Sequence, residues 1–133
     1  MILPKLCEFV WLGTMFVVWF QVFTKCPFKG GYDLTVGTSE RGTDIDNCHL
    51  AKQDGTEEAG FKHLLVVFGG VKGLEVALEH DPELKGSVED PSQLFDIYLN
   101  TCPHQGSRTI RTEEAVLITL SALRSKILQA QKQ

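Results

Sequence analysis

The chain has 133 residues, of which 43% are hydrophobic and 23% are charged. This make-up is typical of a globular protein with one hydrophobic core, and it excludes a disordered or collagen-like chain. The net charge of −4 excludes a generally basic surface that coats nucleic acid, so any RNA contact has to be local. The charge is uneven, because Glu79 to Asp96 holds six acidic residues and one Lys, whereas the chain from Asn100 onward holds five Lys or Arg and two Glu.

The first 21 residues differ in composition from the rest of the chain. The run from Phe9 to Phe20 is uncharged and almost wholly apolar. A signal peptide is one interpretation, although the start is weakly basic and no small-x-small cleavage site follows. A membrane span is the second, although the uncharged run from Phe9 to Thr24 is shorter than the ~20 residues that a bilayer needs. The third is a segment that does not belong to the domain.

From Tyr32 onward the pattern predicts an α/β protein. The stretch "YDLTVGTS" predicts a strand that ends in a Gly-Thr-Ser turn, and "ERGTDIDN" predicts a loop. Asn47 to Gly60 is polar and weakly periodic, so we expect irregular surface structure there. Leu64 to Phe68 is an unbroken apolar run, which is typical of a parallel strand covered on both faces.

Two helices and one further strand are predicted downstream. Gly70 opens the first helix, and its apolar face consists of Val71, Leu74, Ala77 and Leu78. An acidic connection, the strand "LFDIYLN" and a long polar loop follow. The second helix begins near Thr112, a good N-cap, with Glu113 and Glu114 in its first turn. Its predicted buried stripe consists of Leu117, Leu120, Leu123 and Ile127.

Three polar or glycine-rich segments follow predicted strands: residues 37–42, residues 69–70 and residues 100–110. Ligands of open parallel sheets bind outside the carboxyl ends of the strands, so these segments predict one pocket for a nucleotide-like ligand. The last segment is longer than the about 2 to 6 residues that a strand-to-helix connection needs. Each segment also has a plainer interpretation: Gly69-Gly70 as a tight turn, and Arg108 with Arg111 as solvated surface residues.

The cysteines and histidines give little sign of a metal site. The four cysteines contain no CxxC spacing, which fits reduced thiols better than a disulfide framework. A zinc set built from Cys48-His49, Cys102 and His104 lacks the closely spaced pairs of structural zinc sites. We therefore expect no metal.

Four motifs in order resemble a known family. The segments "CPFKGGYDLTVGTSERG", "VVFGGVKGLE", "LFDIYLNTCP" and "QGSRTIRTEEA" look like the C-terminal half of the SPOUT, or α/β-knot, RNA methyltransferases of eukaryotes and archaea. The last is also similar to the "GxRILRxETA" signature of bacterial knotted rRNA uridine methyltransferases. The match covers roughly Val22 to Gln129.

The resemblance implies a Rossmann-like parallel sheet with a C-terminal trefoil knot, incomplete in this chain, in which residues 22–133 form the C-terminal part of the domain. It implies S-adenosylmethionine as cofactor, an RNA substrate, a homodimer and no membrane partner. The long loop would be part of the knot. The implied cofactor contacts are Arg41, Gly69, Asn100, Thr101, Thr109 and Ile110, the last two through backbone groups. The residues implied to face the RNA are Arg108, Arg111 and Glu113.

The resemblance names no catalytic base and no target atom. It implies localisation in the nucleus or cytoplasm, with spindle or kinetochore association for animal members. Family members carry a long N-terminal portion that residues 1–21 replace, so we expect a non-native start from a truncated or alternative gene product, with a sheet edge left exposed. Two alternatives to an active methyltransferase stay open: a non-catalytic fragment that keeps the dimer and cofactor surface, and a small membrane-anchored protein.

Overall fold

The computed structural model describes residues 6–12, 23–24, 26–51, 61–69, 79 and 86–131, with only the backbone of residues 6–12. The predicted helix from Gly70, most of the polar stretch before Phe61 and most of the acidic connection lie outside the described residues. In the described part, no helix is both long and apolar enough to cross a bilayer.

Four parallel strands form one sheet. They are β1 (Leu6–Leu12), β2 (Leu34–Asp44), β3 (His63–Gly69) and β4 (Ile97–Asn100), in the order β1-β3-β2-β4. All three neighbouring pairs are parallel. The prediction of an α/β protein with a parallel sheet is therefore confirmed.

The core lies on both faces of β3, as its unbroken apolar sequence predicted. Leu64 to Phe68 are at most 2% exposed. Alternate side chains point to opposite faces of a strand, so Leu64, Val66 and Phe68 pack in one cluster and Leu65 with Val67 in another. The first cluster includes Leu34, Val36, Leu99 and Leu123, and the second includes Phe95.

β2 is longer than the sequence predicted. The predicted loop after Ser39 was wrong up to Asp44, because the strand runs on to that residue, and a 3-10 turn, Ile45–Asn47, follows. Pairing with β4 shifts register between Thr38 and Thr43 and then resumes, with Thr43 opposite Leu99 and Asp44 opposite Asn100. The irregularity carries residues 39–42 around the end of β4, which places them at the same edge as the loop that follows β4.

β4 is shorter than predicted, because Pro91–Leu94 forms a 3-10 turn and the strand begins at Ile97. Asp96 joins this entry to β2. Its Oδ2 accepts hydrogen bonds from the backbone N–H of Thr35 at 2.9 Å and the Thr35 hydroxyl at 3.1 Å. These bonds fix the start of β4 against β2, and with it the position of the loop at the other end of β4.

The C-terminal helix, α1 (Thr112–Gln131), begins where the sequence predicted. Thr112 is its first helical residue and not its N-cap, because Ala115 donates its backbone N–H to the carbonyl of Arg111 at 2.8 Å. Glu114 Oε2 accepts the backbone N–H of Arg111 at 3.3 Å, which is the side-chain half of a capping box.

The predicted buried stripe of α1 was partly wrong. Leu123 is fully buried, but Leu117 is 71% exposed and Leu120 is 36% exposed. The face towards the sheet instead uses fourfold spacing through Ala115, Thr119, Leu123 and Ile127. Leu117 and Leu120 are offset from that line, so they lie on the outer side of the helix.

β1 comes from the apolar N-terminal segment. Its seven residues pair with β3 from Leu6 opposite His63 to Leu12 opposite Gly69. The edge of β3 that was expected to be exposed is therefore covered by this strand. The origin of residues 1–21 stays a prediction.

Candidate functional site

The irregular segment of β2, residues 38–41, and the carboxyl ends of β3 and β4 surround one cavity of about 310 Å³. This volume lies at the lower end of the ~300 to 1,000 Å³ that is usual for small-molecule sites. The loop after β4 and the first two turns of α1 close the remaining sides. The lining residues are Thr38, Ser39, Glu40, Arg41, Phe68, Gly69, Asn100, Thr101, Cys102, Gln105, Arg108, Thr109, Ile110, Ala115, Ile118 and Thr119.

The structure brings the predicted cofactor residues together. All six of them line this cavity: Arg41, Gly69, Asn100, Thr101, Thr109 and Ile110. Arg108, predicted to face RNA, also lines it, whereas Arg111 and Glu113 are exposed and do not. The geometry groups these residues, and their roles in binding stay predictions.

Asn100 connects the two polar segments at this edge of the sheet. Its Nδ2 donates to the carbonyl of Glu40 at 3.3 Å, and its Oδ1 accepts the backbone N–H of Cys102 at 3.1 Å. The last residue of β4 thereby holds the irregular segment of β2 and the start of the long loop at once.

The loop after β4 is organised by its own side chains. Gln105 Nε2 donates to the carbonyl of Ser107 at 2.7 Å, and the Ser107 hydroxyl donates to the carbonyl of Thr109 at 2.8 Å. His104 adopts a left-handed backbone conformation with φ 57°. These side-chain to backbone hydrogen bonds hold the loop in one conformation although it has no regular secondary structure. Its backbone N–H and C=O groups are therefore positioned around the cavity before a ligand binds.

Thr119 is the site residue that the sequence analysis missed. It is fully buried on α1, lines the cavity, and its Oγ1 lies 2.8 Å from the Oγ1 of Thr101. In the sequence, Thr119 lies four residues after Ala115 and four before Leu123, so it shares a helix face with both. The sequence analysis missed this face because it placed the buried stripe along the leucines.

The fixed charges around the cavity are two guanidinium groups and one carboxylate. Arg41 and Arg108 are exposed lining residues, and so is Glu40. Nearby, the pKa of Asp90 lies below its usual value, chiefly because its carboxylate accepts the backbone N–H of Ser92 at 2.9 Å, with a smaller contribution from Arg41. Arg41 and Arg108 supply guanidinium groups at the cavity mouth that suit an anionic ligand group, with Glu40 and Asp90 offsetting part of their charge.

Cys26, Cys48 and Cys102 are free thiols. Cys102 lines the cavity, whereas Cys48 lies beneath α1, where Lys126 Nζ donates to its carbonyl at 2.7 Å. Burial raises the pKa of the Cys48 thiol, and the Lys126 ammonium acts in the opposite direction. A thiol with a raised pKa is less often the reactive thiolate at neutral pH.

Within the residues that the structure describes, no group of three or more His, Cys, Asp or Glu side chains is placed to hold a metal ion. The donors around the cavity are mainly hydroxyls, amides, backbone carbonyls and guanidinium groups. This donor set fits an organic ligand with several polar atoms.

The sequence profile of the family described as "Putative RNA methyltransferase" matches residues 19–123, a range that contains every lining residue of the cavity. The chain belongs to this RNA methyltransferase family.

Three relatives show how far the likeness extends. The chain is 55% identical over 109 residues to the human 28S rRNA (uridine-N(3))-methyltransferase, covering 82% of this chain and 26% of that protein. It is 51% identical over 107 residues to the Drosophila melanogaster protein of the same name, covering 80% of this chain and 20% of the relative. An uncharacterized protein of Haloarcula marismortui is 33% identical over 93 residues, covering 68% of this chain and 33% of its own length. The chain spans about a quarter of the human methyltransferase that it matches.

Proposed function

We propose that this cavity binds S-adenosylmethionine and that the chain supplies the cofactor-binding part of an RNA methyltransferase. The observation that carries the proposal is the meeting of three strand ends and the loop after β4 around one cavity, in a chain of this family. The carboxyl edge of a parallel sheet is the usual place for a nucleotide-like ligand.

The residues present fit this cofactor. Its carboxylate would pair with Arg41, because a guanidinium binds carboxylate oxygens in a two-pronged geometry. Its adenine ring would lie among Phe68, Ile110 and Ile118, which supply apolar surface. Backbone groups of Thr109 and Ile110, together with the Asn100 and Thr101 side chains, would bond its ring nitrogens and ribose hydroxyls.

The chemistry requires few side chains. S-adenosylmethionine supplies a methyl group that its sulfonium already activates. The chain's own residues then bind and orient: Asn100 holds the loop and the end of β2 in place, and the loop backbone fixes the ligand's direction. Alignment of the two reactants is itself a large part of catalysis.

The proposed substrate is RNA, and by analogy with the named relatives the acceptor is a uridine N3 in large-subunit rRNA. That nitrogen carries a proton in neutral uridine, and transfer of this proton to water leaves negative charge on the ring. Arg108 lies on the loop at the cavity mouth, where its positive charge would favour this anion. Arg111 is exposed just before α1 and would contact the phosphate backbone of the RNA.

The proposal includes the trefoil knot and the homodimer. The long loop between β4 and α1 would be threaded as part of the knot. Three large hydrophobic residues on α1 are exposed, Leu117 at 71%, Leu120 at 36% and Leu128 at 42%, and a second copy would cover them. Burial of such a stripe between subunits supplies the apolar contact that a stable dimer needs.

A non-catalytic fragment is the second candidate. The observation that favours it is the short length of the match, which covers only 26% of the human relative. Such a fragment would keep the cavity and the outer face of α1 but would transfer no methyl group.

Calorimetric titration of S-adenosylhomocysteine into the full chain tests the proposal. We expect saturable binding, and we expect the double variant Asn100→Ala, Thr101→Ala to abolish it. The Asn47→Ala variant is the control, because Asn47 is exposed in the 3-10 turn after β2 and does not line the cavity. Absence of binding by the folded wild-type chain would refute the proposed cofactor site.

Methyl transfer separates the two candidate functions. Radiolabelled cofactor and an rRNA fragment containing uridine would yield labelled RNA with an active methyltransferase. Binding of S-adenosylhomocysteine without labelled RNA would identify the chain as the non-catalytic fragment.

A further inference from the structure

Thr119 and Thr101 form a hydroxyl pair between α1 and the loop after β4. Thr35 and Thr119 are the buried polar residues of the described chain. Thr35 is bonded to Asp96 within the sheet, whereas the Thr119 hydroxyl lies 2.8 Å from that of Thr101, and both of these residues line the cavity. The pair thus lies at the boundary between the core and the candidate ligand site.

In this pair one hydroxyl donates a hydrogen bond and the other accepts it. Two hydroxyls hold two protons, and the bond between them uses one. If Thr119 donates to Thr101, the Thr101 proton is left to point into the cavity. If Thr119 instead donates to the carbonyl four residues earlier in the helix, as threonine does in helices, it accepts the Thr101 proton and leaves Thr101 lone pairs for a ligand donor. In the first arrangement Thr119 occupies a lone pair of Thr101, and in the second it holds the Thr101 proton, so in each it determines which group Thr101 offers to a ligand.

A purely packing role would not need this hydroxyl. Valine has nearly the same shape as threonine, and burying a hydroxyl costs free energy unless it is hydrogen-bonded. Neighbouring inward positions on α1 are occupied by Ala115 and Leu123, which have no polar atoms in their side chains. The distinctive property of Thr119 is therefore its bond to the loop.

We propose that Thr119 is a positioning residue for the cofactor, acting through Thr101. This inference rests on the proposed function. Asn100 holds the beginning of the loop from the sheet side, through Glu40 and Cys102. Thr119 holds the next residue from the helix side. Together the hydrogen bonds of Asn100 and the hydroxyl contact of Thr119 fix the Thr101 hydroxyl relative to the cavity. The first comes from the sheet, and the second comes from α1.

Matched variants test the binding role. Thr119→Val removes the hydroxyl and keeps the shape, whereas Thr119→Ser keeps the hydroxyl. We expect Thr119→Val to weaken binding of S-adenosylhomocysteine about five- to tenfold, the usual effect of one lost hydrogen bond. We expect Thr119→Ser to bind within about twofold of wild type. Thr43→Val, on an exposed residue of β2 outside the cavity, is the control.

A double-mutant cycle shows whether Thr119 acts through Thr101. If it does, Thr101→Val combined with Thr119→Val weakens binding no more than Thr101→Val alone, because the shared bond is lost only once. Equal binding by Thr119→Val and wild type would overturn the inference.

Amide hydrogen exchange of the ligand-free chain gives a readout that does not depend on the cofactor. We expect faster exchange in residues 101–106 of Thr119→Val and wild-type rates in Thr119→Ser. Unchanged exchange in Thr119→Val overturns the inference, whether or not the wild-type chain binds S-adenosylhomocysteine. Failure of wild-type binding would refute the proposed function and with it the cofactor role of Thr119, whereas the exchange rates would still show whether Thr119 holds the loop.

Discussion

At the scale of single residues, Asn100 has the clearest structural role in the site. Its Nδ2 donates to the Glu40 carbonyl in β2, and its Oδ1 accepts the Cys102 backbone N–H in the loop. An asparagine amide carries both a donor and an acceptor at the end of a side chain with two rotatable bonds, and glutamine is one methylene longer. The position of the loop relative to the sheet therefore depends on this one amide.

Replacing Asn100 by Asp separates the two bonds. The carboxylate keeps the acceptor for the Cys102 N–H but places negative charge against the Glu40 carbonyl. We expect binding of S-adenosylhomocysteine to fall about tenfold or more, since a lost hydrogen bond and a new repulsion add. Titration calorimetry measures this change, with Asn47→Asp as the control for the added charge. Wild-type affinity in Asn100→Asp would show that the bond to Glu40 is not needed.

Gly42 is required by a close approach of two backbones. A Cβ at this position would lie 2.4 Å from the Leu99 carbonyl carbon and 2.7 Å from the Asn100 nitrogen. Gly106 has no atom within 4 Å of its Cβ position, so it offers a matched comparison. We expect Gly42→Ala to lower the free energy of unfolding by about 1 to 3 kcal/mol and Gly106→Ala to change it by about 0.5 kcal/mol or less. Urea denaturation of both variants measures the difference, and equal stabilities would contradict the close approach.

At the scale of elements, the two sides of α1 have different partners. Leu123 packs fully buried against the sheet, whereas Leu117 is 71% exposed. We expect Leu123→Ala to lower the free energy of unfolding by about 2 to 5 kcal/mol, because it leaves a cavity in the core. Leu117→Ala is the same substitution on the outer side, and in the monomer its effect should stay within about 0.5 kcal/mol. Urea denaturation, at protein concentrations low enough to keep the chain monomeric, compares the free energies of unfolding of the two variants.

The outer side of α1 is the predicted dimer interface. We expect the wild-type chain to sediment as a dimer and the double variant Leu117→Glu, Leu120→Glu to sediment as a monomer, because two charges would be buried in an apolar contact. Gln129→Glu is the control, since Gln129 is exposed on the same helix. A variant that remains a dimer would place the interface elsewhere.

At the scale of the whole molecule, β1 covers one edge of the sheet. Without it, β3 would present seven residues of unpaired backbone to solvent. We expect removal of residues 1–12 to lower the midpoint of urea unfolding and to increase aggregation. Removal of residues 1–5, which precede β1, is the control. Light scattering and denaturation measure both effects, and an unchanged protein would show that the apolar segment is dispensable, as the sequence alone had suggested.

Sequence patterns determined the features that depend on local chemistry. The apolar run at Leu64 to Phe68 predicted a fully covered parallel strand, and Glu113 with Glu114 after Thr112 predicted where α1 begins, although the N-cap is Arg111 and not Thr112. Polar residues after three strands predicted one cavity, because parallel strands present their carboxyl ends at the same edge. The four motifs in order also determined the family.

Only the tertiary structure decided the features that depend on distant residues. The strand order β1-β3-β2-β4, the register shift between Thr38 and Thr43 and the attachment of the apolar N-terminal segment all depend on which backbones pair across the sheet. The buried side of α1 and the bond from Thr119 to Thr101 depend on where the sheet meets the helix. A leucine stripe in the sequence does not specify that contact, because several sides of an apolar helix satisfy the same periodicity and packing selects one of them.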